Sequence, residues 1–176
     1  MNYAVFPTAL GWMLIAGSDD GISHVALPTH DVSASLEHLC LQAGIPLCEL
    51  RQREPLSFGT LAERLTAYMC GDPVTFPDAV DRKRWTEFQC RVWDATRQIG
   101  YGESRSYGWV AAAVGQPQAS RAVGQALHNN PVPVIVPCHR VIGKDGSLTG
   151  FGSGLEMKER LLALESGTLA ASGNAV

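Results

Sequence analysis

Three prolines within seven uncharged residues, at positions 131, 133 and 137, lead directly into a cysteine, a histidine and an arginine in the stretch NNPVPVIVPCHRVIG. Proline donates no ladder hydrogen bond and is confined in sheets to edges, strand starts and bulges. The chain is therefore expected to break at Pro137 and to turn at Cys138. On a continuing strand, neighbouring side chains point to opposite faces. Cys138 and His139 can then act together only if the strand ends at the cysteine, or if a water bridges them. Two readings of the thiol stand side by side. Sealed among apolar groups it has a raised pKa and is inert; with a base or a cation beside it, it is a nucleophile. A working histidine also needs a carboxylate to orient it. Glu165 is the candidate. It ends the last helical segment, where the helix dipole disfavours an anion by roughly 0.3–1 kcal/mol. Either that cost is tolerated or Glu165 folds back onto His139.

The other four cysteines, Cys40, Cys48, Cys70 and Cys90, are widely spaced and form no C-x-x-C pair. A disulfide framework is not expected, and the bland reading of these thiols is that of small hydrophobes. His24, His30 and His38 are scattered among Cys40 and Cys48 without metal-ligand spacing, so no metal and no cofactor are expected. The apolar start is broken by Pro7 and Gly11 and lacks the basic opening of a signal peptide. No window approaches membrane-spanning length. A cytoplasmic protein without a membrane partner is the expectation.

Charge divides the chain. Residues 1–81 hold three basic and ten acidic side chains, a sum of −7, whereas residues 82–176 hold eleven and seven, a sum of +4. The second half can face a polyanion that the first half repels. In the first half, residues 3–6, 12–16 and 22–27 read as strands, and GSDDG joins the last two as a hairpin. Asp31 is positioned to cap a helix that carries Val32, Leu36, Leu39 and Ala43 inward and stops at Gly44. Ser57 is read as the cap of a second helix, with Phe58, Leu61, Leu65 and Tyr68 inward, ended by Gly71 and Pro73. The loop 71–81 marks the domain boundary.

The second half reads as mostly helical. Thr86 and Gln89 fit a capping box ahead of Phe88, Val92, Ala95 and Ile99. Ser106 caps a short helix to Val114, GQPQ breaks it, and another helix covers residues 119–128. Two short helices around a tight turn are a helix-turn-helix candidate, and equally an ordinary helical hairpin. The second is slim, with Ala119, Ser120, Ala122, Gly124 and Ala126, which suits close approach to a groove or to another helix. Ser153 and Glu156 read as a second capping box before Leu155, Leu161, Leu162 and Leu164. Residues 167–176 read as a flexible tail.

At PCHRVIG the chain resembles the active-site signature of the O6-alkylguanine-DNA alkyltransferases, the methylated-DNA–protein-cysteine methyltransferases. The likeness runs from FQCRVWDATRQIGYGE through SRSYGWVAAAVGQPQASRAVGQALHNN to LTGFGSG, residues 88–154, and takes in LLALE; the first half follows the family only loosely. The resemblance implies an α/β fold: an N-terminal α/β domain over residues 1–81 with a small antiparallel sheet, then a mainly helical domain over residues 82–166 with a winged helix-turn-helix. It implies direct-reversal repair, in which the alkyl group of O6-alkylguanine in DNA, or of O4-alkylthymine, passes once and for good to Cys138. His139 takes the thiol proton through a water, Glu165 orients the imidazole, and Asn130 ties the helix pair to the cysteine segment. Tyr107 crowds the target phosphate and helps protonate the departing guanine.

The partner so implied is double-stranded DNA carrying an alkylated guanine, approached from the minor groove by Ser106, Ala122 and Gly124, with the nucleotide flipped and the gap filled by Arg121. Pro133, Val141, Phe151 and Gly152 would line the substrate pocket. A monomer is expected. Bland roles exist for each residue: Tyr107 as a core tyrosine, Arg121 as a surface arginine, Asn130 as a helix stop. Four positions depart from the family pattern. Gly100 replaces a usual proline, Phe151 a common tyrosine, Gly152 a small polar residue and Trp109 a polar one, so alkyl-group preference is left open. The rival functions are a lesion-marking relative that binds without reacting, which the presence of Cys138 opposes, a cysteine hydrolase, and a transcription regulator without an effector domain.

Overall fold

In β1 (Asn2–Thr8) every second residue, Ala4 and Phe6, is buried, and β2 (Gly11–Ser18) is buried on both faces from Met13 to Gly17. A strand covered on both sides needs a layer on each. The computed structural model, which describes residues 1–168, supplies them. β1, β2 and β3 (Gly21–Thr29) form an antiparallel meander, and the two-residue strand β4 (Arg51–Gln52) pairs parallel to β1, giving the order β3-β2-β1-β4. The β2–β3 turn closes with Ser18 opposite Gly21.

Helix α1 (Val32–Ala43) lies on one face and packs Leu39 and Ala43 against Leu14 and Ala16, with Tyr3, Val5 and Ala26 at the margin. Asp31 caps it by accepting from the Ala34 N–H at 3.0 Å, and Gly44 ends it at φ 65°. Helix α2 (Leu61–Met69) packs against β1. Its start corrects the sequence expectation. Ser57 sits in a 3₁₀ turn, Pro55–Phe58, because Gly59 takes φ 61°, ψ −139°, which no helix can pass through; the helix begins after Thr60. Residues 79–81 run beside β3, with Ile22 N–H donating to Ala79 O at 2.8 Å and Asp81 N–H donating to Ile22 O at 2.9 Å. A Cβ on Gly21 would come within 2.6 Å of the Ala79 carbonyl, so this approach requires the glycine.

The chain divides into two compact units between Asp81 and Arg82. The second opens with α3 (Glu87–Arg97), whose capping box forms as the sequence suggests: the Gln89 N–H donates to Thr86 Oγ1, and the Thr86 N–H donates to Gln89 Oε1. Its inward face carries Trp93 and Thr96 with Val92; Phe88 and Ala95 are only half-buried. Trp93 Nε1 donates to Ala126 O at 3.1 Å and ties α3 to α5. Helix α4 (Tyr107–Ala113), capped by Ser106, and helix α5 (Ser120–His128) pack together around a six-residue turn. Two-residue strands β5 (Arg105–Ser106) and β6 (Val141–Ile142) pair in parallel.

Residues 131–141 are buried throughout but form no continuous strand. Val134 sits at φ 75°, a conformation that costs a β-branched residue about 1–3 kcal/mol and is tolerated only where surrounding structure dictates it. The last helix, α6 (Leu155–Glu165), departs from its expected cap. Gly154 at φ 86° is the N-cap, so Ser153 is one residue too early and Glu156 lies in the second helical position rather than the third. The inward stripe is Lys158, Leu161, Leu164 and Glu165, while Leu155 is exposed. The expected tail falls mostly outside the described residues. No helix among the described residues is long and apolar enough to cross a membrane.

Candidate active site

Pro137 ends the apolar segment, and the chain turns through a single 3₁₀ turn, Cys138–Arg140. Cys138 is buried, with 6% of the residue exposed. Asn130, just beyond α5, holds it: Nδ2 donates to Sγ at 3.1 Å and to Val136 O at 2.9 Å, while Oδ1 accepts from the Val132 N–H at 3.1 Å. One amide side chain thus joins the end of the helix pair to the cysteine segment and aims a donor at the sulfur.

His139 is fully buried, and its Nε2 meets Glu165 Oε1 at 2.9 Å. A carboxylate only accepts, so Nε2 is the donor and Nδ1 carries the lone pair of the neutral ring. Glu165 also accepts from the Gly102 N–H at 3.0 Å, from Arg140 Nε at 3.0 Å on both oxygens, and from Arg140 Nη2 at 2.7 Å. The carboxylate at the end of α6 thus meets His139 and is held by a buried guanidinium, which outweighs the unfavourable dipole. Of the catalytic candidates, Cys138 and Asn130 meet directly, as do His139 and Glu165.

Lys158 was not legible as a site residue. It is fully buried, with Nζ donating to Val141 O at 2.7 Å and Thr149 O at 3.2 Å and lying 5.7 Å from the centre of the Tyr107 ring. Its one sequence signal is its spacing: three and seven residues before Leu161 and Glu165 it falls on the same helix face. Tyr107 is half-buried, and its hydroxyl donates to Thr149 O at 2.7 Å. Thr149 O thus receives both side chains.

Burial pushes the Cys138 thiol up; the Asn130 hydrogen bond, the Lys158 charge and the backbone N–H groups of the turn pull it down. Burial pushes His139 down, against the Glu165 hydrogen bond and charge, and Arg140 and Lys158 push it further down. Burial also lowers Lys158, which the proximity of Cys138 opposes. Tyr107 is raised, first by burial. Desolvation thus favours a neutral thiol and a neutral imidazole, while a donor and a cation stand ready for a sulfur anion.

The remaining candidates lie elsewhere. Arg121 and Ala122 are exposed on α5, and a Cβ on Gly124 would sit 3.8 Å from the Tyr107 ring. Ser106 spends its hydroxyl accepting from the Trp109 N–H at 3.1 Å. Pro133 and Val141 are buried beside the cysteine segment, Phe151 is half-buried, and Gly152 is exposed, with room for a Cβ only 3.1 Å from His128 O. Trp109, 41% exposed, stacks under Arg105 at 5.7 Å. Among the described residues no group of three or more His, Cys, Asp or Glu is placed to hold a metal ion.

Fold and site together define a class: α/β proteins in which a buried, asparagine-held cysteine is followed by a carboxylate-held histidine. Residues 87–167 match the profile of the 6-O-methylguanine DNA methyltransferase DNA-binding domain. The methylated-DNA–protein-cysteine methyltransferase of Methanosarcina acetivorans is 41% identical over 165 residues, 94% of this chain and 98% of the relative. The chain belongs to the methylated-DNA–protein-cysteine methyltransferase family. The constitutive enzyme of that name from Bacillus subtilis is also 41% identical, over 94% of this chain and 96% of its own. Among solved structures, Mycobacterium tuberculosis OGT in complex with DNA is 35% identical with a TM-score of 0.77, covering 97% of this chain and 96% of that one.

Proposed function

We propose that the protein repairs DNA by direct reversal, taking the alkyl group from O6 of guanine, or O4 of thymine, onto Cys138 in a single turnover. The observation that carries this reading is the buried Cys138 sulfur, held by Asn130 and followed in the same turn by a His139–Glu165 couple. The S–H proton passes to His139. Successive side chains on a 3₁₀ turn diverge by about 120°, so the transfer is read as indirect, with a water relaying the proton to Nδ1 as the family likeness implies. The thiolate then attacks the alkyl carbon, an S–C bond forms, and the C–O pair stays with the base. A proton delivered by Tyr107 or His139 neutralises the departing base, so the proton lost by sulfur is balanced by the one gained. To donate, the Tyr107 hydroxyl releases Thr149 O. The thioether offers water no leaving group, so the protein is spent.

The unit from residue 82 to 166 carries both DNA binding and alkyl acceptance. In this reading α4 and α5 are a helix-turn-helix, and the β5–β6 pair with the 143–154 loop is its wing. Arg121, exposed on α5, fills the space left by the flipped nucleotide, whose extrusion costs a few kcal/mol. The positive balance of this half supports phosphate contacts that weaken with salt. The protein works in the cytoplasm, at the nucleoid. The test is stoichiometry with duplex DNA carrying radiolabelled O6-methylguanine. One label per protein and no further release supports the reading. Repeated turnover, or binding without transfer, overturns it.

A further inference from the structure

Arg140 takes no part in the proton and alkyl transfers proposed above, yet its guanidinium is almost wholly used inside the site. It is 7% exposed. Nε reaches both Glu165 oxygens at 3.0 Å, Nη2 reaches Oε1 at 2.7 Å, Nη1 donates to Ile99 O at 2.6 Å, and the Tyr101 ring lies 5.8 Å beneath. With the Gly102 N–H on Oε2 and His139 Nε2 on Oε1, the acceptor capacity of a carboxylate, about four lone-pair sites, is filled. Held by a fork on one side and a backbone donor on the other, the carboxylate has one orientation.

We propose that Arg140 is a positioning residue for alkyl transfer: it fixes the Glu165 carboxylate so that His139 is held as the Nε2–H tautomer, leaving Nδ1 as the nitrogen that receives the Cys138 proton. The proposal rests on the reading of Cys138 as acceptor. Its logic is electrostatic as well as geometric. A carboxylate alone beside a buried imidazole favours an imidazolium, which cannot accept a second proton. The charged and titratable groups facing His139 are Glu165 and Lys158 from α6, and Cys138 and Arg140 from its own turn. Arg140 offsets the Glu165 charge without removing its hydrogen bond to Nε2. Lysine cannot replace it, because an ammonium has no planar fork.

The test is the single-turnover rate of methyl transfer from an O6-methylguanine duplex, measured against pH for wild type, R140K and R140Q, with ¹⁵N shifts of the His139 ring. R140K keeps the charge and loses the fork: its plateau rate falls roughly tenfold to a hundredfold with the acid limb unmoved, and the His139 ring becomes a mixture of tautomers. R140Q loses the charge: its acid limb moves to higher pH by about one unit. If R140Q does not fold, R140K decides alone through rate and tautomer. Wild-type rate and a pure Nε2–H tautomer in R140K overturn the proposal. So does an R140Q rate lowered equally at every pH. If wild type itself takes up no methyl group, the reading of Cys138 fails instead.

Discussion

Replacing Asn130 by alanine removes three hydrogen bonds from one place. The donor to Cys138 Sγ at 3.1 Å is lost, and the Val132 N–H and Val136 carbonyl lose their side-chain partner. The two effects separate. A hydrogen bond to a charged group contributes about 1.5–3 kcal/mol, so the thiolate loses roughly that much stabilisation relative to the thiol. At 1.36 kcal/mol per tenfold, methyl transfer should slow by roughly ten- to 150-fold, and the apparent thiol pKa should rise by roughly one to two units. The Val132 N–H, left unsatisfied, costs about 1–3 kcal/mol, whereas the Val136 carbonyl keeps the Cys138 N–H at 2.8 Å, so the variant should also unfold at lower denaturant. Single-turnover transfer from an O6-methylguanine duplex, iodoacetamide alkylation of Cys138 against pH, and urea unfolding read the three quantities. A transfer rate within twofold of wild type would refute the reasoning. So would a slow variant whose thiol titrates as before.

Lys158→Met removes a buried cation near the sulfur and the donor to two carbonyls. The thiol should titrate at higher pH, and with only Thr149 O keeping a side-chain donor, Tyr107, the protein should lose about 1–3 kcal/mol of stability; unchanged iodoacetamide reactivity against pH would count against it. The His139 shift gives a stability profile. Its folded pKa lies below 6.5, so the unfolded state binds more protons in the window just under that value, and stability should fall as pH drops through it. Melting temperatures from pH 8 to 5 check this, with a shallower slope in His139→Gln. Arg121→Ala should slow repair of a flipped base in duplex DNA while leaving reaction with free O6-methylguanine unchanged; equal losses on both would remove the finger role.

Local chemistry made much of the fold legible. GSDDG closed the β2–β3 hairpin, Asp31 and Gly44 bounded α1, and the Thr86–Gln89 box opened α3, since each depends on residues within four of one another. Ser57 and Ser153 misled because capping depends on backbone angles, and the glycines beside them, Gly59 and Gly154, set those angles against the expected start. The proline run was legible as a break at Pro137, but not as the strained turn at Val134. Cys138, His139 and Glu165 could be named from residue type and the family likeness. Lys158 could not: a lysine in a leucine-rich helix reads as surface, and its burial depends on carbonyls from Val141 and Thr149. Arg140 stood in plain view beside His139, but its partner lies 25 residues away and its other anchor, Ile99, 41.

The most direct test is peptide mapping by mass spectrometry after one round of reaction with duplex DNA carrying O6-methylguanine. The account predicts a single methyl increment on the peptide containing Cys138 and none in Cys138→Ser. Methyl groups on Cys40, Cys48, Cys70 or Cys90, or a Cys138→Ser protein that still demethylates the duplex, would contradict it.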